Sequence, residues 1–62
     1  PADAEIAAER RRVEEIERKL RLAGLRAERE AIYSAGRAGQ LKEEDLNRLV
    51  REVDLLEARY SG

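Results

Sequence analysis

Three adjacent acids, Glu43, Glu44 and Asp45, follow two glycines three positions apart, Gly36 and Gly39, and these are the residues whose types and spacing could do chemistry. Carboxylates this close could hold a hard cation or trade a proton, and a Gly-x-x-Gly loop before a helix could cradle a phosphate. Both readings fail on spacing. Successive helical positions point about 100° apart, so the three carboxylates fan out, and no further group is placed to complete a ligand set. No strand leads into the glycines, no Lys-Ser or Lys-Thr pair follows them, and the acids would repel a phosphate.

Tyr33, Ser34, Tyr60 and Ser61 carry the hydroxyls, which act as nucleophiles only beside a base and oxyanion donors. The sequence has no histidine and no cysteine. Imidazole catalysis, thiolate chemistry, zinc sites and disulfides therefore drop out. The residues read as a non-enzyme, with no catalytic, cofactor-binding or metal-binding positions, and Tyr33 and Tyr60 read as edges of a core. Charged residues make up 44% of the chain, yet the net charge is only -1, so the two signs interleave. That balance argues against a nucleic-acid partner, which needs excess Lys and Arg. The three acids that would open its recognition helix argue against a helix-turn-helix reader as well. Arg10, Arg11 and Arg12 spread around a helix and read as solvated surface, with anionic lipid or a domain in cis as the alternative.

The elements that hold these residues are two helices. From Asp3 to about Arg37 only Gly24 interrupts a run of Ala, Glu, Arg and Leu, the residues that lose least entropy on coiling. Asp3 reads as its N-cap. Ile6, Val13, Leu20 and Ala27 recur every seven residues, with Ile16 and Ala23 between them, which is the stripe of a coiled coil. Glu14 with Arg18, Glu15 with Lys19 and Glu17 with Arg21 are four-residue pairs in the favourable order. Leu22, Leu25 and Ile32 form a second stripe rotated from the first. Gly24, among Ala23, Ala27 and Ala31, predicts a close approach of backbones, with a bend as the alternative.

One of Gly36 and Gly39 takes the left-handed conformation that ends a helix, and the other lets the chain reverse across residues 38–42. The acidic triplet then faces the unpaired N–H groups and positive dipole end of a second helix, about 43–59. Leu46, Leu49, Val50, Val53, Leu56 and Tyr60 give that helix its buried stripe, widened by Leu55. Leu41 reads as a staple across the hairpin end. Residues 9–30 carry eight basic and six acidic groups and residues 43–60 three basic and six acidic, which favours the helices' mutual attraction.

The fold class is all-α: one helical hairpin module across 1–62, with one long and one shorter helix. At 1.5 Å per residue the first helix spans roughly 50 Å and the second roughly 25 Å. The short helix covers about half of its mate, leaving Ile6, Val13 and Ile16 without a partner. The expectation is a homodimer, a dimeric helical bundle or coiled coil whose interface is built on Ile6, Val13, Ile16, Leu20, Val50 and Leu56, with parallel and antiparallel arms both open. A chain of 62 residues that opens on Pro1 and lacks methionine also reads as a piece of something longer.

Residues 25–59, "LRAEREAIYSAGRAGQLKEEDLNRLVREVDLLEAR", resemble the C-terminal cytoplasmic tail of bacterial sodium/proton antiporters of the monovalent cation:proton antiporter-1 family. Leu25 to Ala31 match its Leu-Arg-Ala-Glu-Arg-Glu-Ala stretch, and Gly39 and Leu41 match its turn. Glu52, Asp54 and Leu55, then Glu57, Ala58 and Arg59, match the end of its last helix. Lys42 departs from the family's Ser or Thr, losing an N-cap bond, and Val50 and Leu56 replace more usual charges, making the short helix stickier. The resemblance implies a membrane exchanger upstream, in cis, that holds all the ion-binding residues. It implies a cytoplasmic place at the inner face of the cell membrane and a role in dimerisation or regulation. A free-standing coiled-coil adaptor or designed oligomerisation module is the alternative.

Overall fold

Helix α1 runs Ala2–Arg37 and helix α2 runs Glu43–Ser61, joined by five residues that reverse the chain. The computed structural model describes residues 2–61, a rod of 58 × 17 × 10 Å in which the two helices pack as a hairpin. Its length matches the roughly 54 Å of 36 straight helical residues. Gly24 therefore does not bend the rod. Nor does another backbone approach it: a Cβ built there meets nothing within 4 Å. A side chain, not a backbone, comes close to a different glycine: at Gly36 a Cβ would collide with Leu46 Cδ1. Asp3 lies within the first turn of α1 and so is not its N-cap; its charge still faces the positive end of the helix dipole.

The turn divides its work between the two glycines. Gly39 takes φ +73°, the left-handed conformation that glycine adopts without a Cβ clash. Its N–H donates to the Gly36 carbonyl and that of Gln40 donates to the Ala35 carbonyl, both at 3.0 Å. This crossed pair satisfies carbonyls at the end of α1 in a Schellman arrangement. The N–H of Leu46 donates to the Lys42 carbonyl at 2.9 Å, making Lys42 the N-cap of α2. A lysine offers no acceptor to the exposed N–H groups of that first turn, so the acids Glu43, Glu44 and Asp45 compensate through the dipole alone. Half-buried Leu41 and Leu46 occupy the two positions of a hydrophobic staple.

The core is short. Leu22, Ile32 and Val53 are buried, and Leu25, Leu46, Leu49, Val50 and Tyr60 are half-buried around them. Leu55 does not widen the stripe of α2: it lies roughly half a turn from Val53 and is 67% exposed. Half-buried Glu57 takes that part of the seam instead, and Arg29 of α1 bonds both it and Asp54, the latter at 2.7 Å. Those two bonds, to Glu57 and then Asp54, push the Arg29 guanidinium above its ordinary pKa, so it stays charged throughout.

Candidate functional site: the uncovered seam of the long helix

Where α2 ends decides what α1 leaves bare. Arg18 donates from its guanidinium to the Tyr60 carbonyl at 2.9 Å, satisfying a carbonyl of the last turn of α2 from across the hairpin. The same side chain is held by Glu15 at 2.7 and 3.0 Å, which depresses the Glu15 pKa, chiefly through the hydrogen bond. Arg18 therefore turns from its predicted partner Glu14 to Glu15, while Glu17 and Arg21 pair as predicted at 3.8 Å. N-terminal to Arg18, every described residue is exposed except half-buried Ala7 and Ala8.

Along this arm the apolar side chains follow one line. Ile6, Val13, Ile16 and Leu20 are each between 52 and 67% exposed. At 100° per residue their line lies about 160° from the one through Arg18, Leu22, Leu25 and Arg29 that meets α2. The long helix thus carries two apolar seams on nearly opposite faces. One is filled by the hairpin partner, and the other is open from Ile6 through Leu20. Single exposed leucines need no explanation, but a heptad line of them marks an association surface.

The remaining positions expected at an interface lie elsewhere. Val50 is half-buried in the hairpin seam, and Leu56 is 41% exposed on its flank. Leu56 and Tyr60 form one wall of an open groove of about 550 Å³ whose other wall is Leu20, Gly24 and Leu25. At Gly24 the groove is open, since a Cβ built there meets nothing within 4 Å. Among the described residues no cluster of three or more acidic side chains is placed to hold a metal. No helix among them is long and apolar enough to cross a membrane.

Apolar spacing alone does not reveal the contacts of Arg29 with Glu57 and of Arg18 with Tyr60. The usable signal was the three-four spacing itself, since Arg18, Leu22, Leu25, Arg29, Ile32 and Gly36 form one unbroken line when charged residues are admitted to it.

Over 45 residues, 73% of its length, the chain is 42% identical to the uncharacterized Na(+)/H(+) exchanger YjcE of Escherichia coli (strain K12). It spans only 8% of that protein's length. No protein-family model matches the chain, and no solved structure matches it.

Proposed function

We propose that the chain is a non-catalytic cytoplasmic tail of a bacterial sodium/proton antiporter, acting through helix pairing to dimerise or regulate the transporter to which it is joined. The observation that carries this reading is the 42% identity over 45 residues to part of a Na(+)/H(+) exchanger. The surface fits such a role: an apolar heptad line exposed along a straight helix. Transport itself belongs to the membrane part, so ion-binding residues are not sought in this chain.

The coding sequence ahead of Pro1 tests the reading directly. A run of membrane-spanning segments in the same frame is expected, and a short self-contained gene would overturn it in favour of a free-standing coiled-coil adaptor. In the joined protein, removing this hairpin should leave sodium-driven proton movement in everted vesicles intact while changing its dimer fraction or its regulation. Complete loss of exchange by correctly inserted protein would overturn the non-catalytic role.

A further inference from the structure

The edges of the open seam carry charges in an order that selects its occupant. We propose that a second copy of this chain covers it, as a parallel, in-register two-stranded coiled coil through Ile6, Val13, Ile16 and Leu20. This deepens the dimerisation reading above and rests on it for one of its supports.

In a parallel pair each edge residue just before an inner position faces the residue five places later on the other copy. Here Glu5 faces Arg10, and Arg12 faces Glu17. Opposite charges meet in both cases, and the two-fold axis repeats each. The next edge residues, Lys19 and Arg26, face Gly24 and Ala31, so no like charges oppose each other along the edges. Within the chain Glu5 and Arg10 form no ion pair among the described residues, which leaves both open to a partner. The antiparallel alignment that best overlaps the apolar residues sets Val13 against Ile16. It also sets Arg12 against Lys19, two cations, but Glu5 against Arg26 and Arg10 against Glu17, so what disfavours it is the layer that sets Leu20 against Glu9.

Glu9 gives a second, independent reason. It occupies an inner position of the seam, between Ile6 and Val13, and its carboxylate is bound by Arg12 one turn on. In-register pairing brings the two Glu9 carboxylates together, each with the Arg12 of its own chain as counter-charge, and keeps both off the apolar layers, which is how a lone polar residue on an inner line fixes register. The β-branched Ile6 and Val13 at their inner positions suit two strands. Because the seam lies about 160° from α2, neither short helix obstructs the pairing. A tail that leaves the membrane from its N-terminal side also requires both copies to start at one end. The antiparallel alignment would separate those starts by roughly 40 Å.

Sedimentation equilibrium of the full chain, with disulfide trapping in a glutathione buffer, tests the proposal. A dimer is expected, and Ile16→Cys chains should cross-link to themselves when mixed with Val13→Cys chains. Glu5→Arg should weaken the dimer on the order of 10-fold, the loss of two symmetry-related edge pairs, and adding Arg10→Glu should restore most of it. A monomer at high micromolar concentration overturns the pairing. Predominant 13-to-16 cross-links, or further weakening in the double variant, overturn the parallel arrangement while leaving a dimer. Absence of membrane spans in the upstream coding sequence would remove the transporter reading without altering either readout.

Discussion

The hairpin half of the molecule and its bare arm are built from the same helix but obey different rules. From Arg18 onward α1 is held by burial of Leu22, Ile32 and Val53, by two ion pairs from Arg29 and by a turn with its carbonyls satisfied. Before Arg18 it has only helix propensity and exposed local pairs such as Arg12 with Glu9. Local pairs of this kind contribute a few tenths of a kcal/mol, about 0.2–0.5 each. The contrast teaches that one continuous α-helix can be held by tertiary packing over one stretch and by local terms alone over the other.

Matched substitutions on either side of Arg18 give the largest expected separation. Ile32→Ala, in the core, should cost about 2–4 kcal/mol and undock α2, read as loss of helical circular dichroism and a lowered urea midpoint. Ile16→Ala, in the arm, should change the dilute monomer by less than about 0.5 kcal/mol and act only where copies pair. Equal effects at low concentration would erase the distinction between the halves.

The two helical glycines sharpen it next. Gly36→Ala makes Leu46 Cδ1, the end of a flexible side chain, move aside, a repacking cost that offsets a helix-propensity gain of up to about 1 kcal/mol and should leave the midpoint little raised. Gly24→Ala meets open space and should raise the monomer's thermal midpoint, with a gain of about 0.5–1 kcal/mol. Melting both variants side by side shows whether the need for a missing side chain belongs to the turn end alone.

Lys42→Ser supplies the missing acceptor at the start of α2 and should add about 1 kcal/mol, read from the urea midpoint. An unchanged midpoint would mean that the acids of the first turn already satisfy that helix end. The smallest effect is in pH. The folded pKa of Glu15 is lowered, so its bond to Arg18 contributes above the ordinary carboxylate value of 4.5 and is lost as pH falls through the depressed one. Acid titration of helicity in the chain and in Glu15→Gln should differ only in that low window.

The helices, the reversal and the inequality of their lengths were legible because Ala, Glu, Leu and Gly declare themselves locally. The assignment of each glycine was not. Either Gly36 or Gly39 could have been left-handed, and only the position of Leu46 across the turn shows that Gly36 is the one that must be small. Leu55 shows that hydrophobicity alone does not fix burial, since rotation about the α2 axis places Glu57 toward α1 and Leu55 toward water. Arg10 and Arg12 read as solvated surface for the complementary reason: which edge of a seam a charge lies on acquires meaning only once the seam is known to be open. Ile6, Val13, Ile16 and Leu20 were readable as a line, and their exposure on the folded hairpin gives that line its interest.

The bond from Arg18 to the Tyr60 carbonyl in the last turn of α2 also sets where tension enters the molecule. A pull on the N-terminal end would stretch the first turns of α1 one after another, each resisting only by its own ladder. Load reaches the short helix at Arg18, and from there the hairpin must be peeled apart through its packed contacts. The arm is thus a compliant leader and the hairpin a stiff anchor, with a guanidinium as the knot between them.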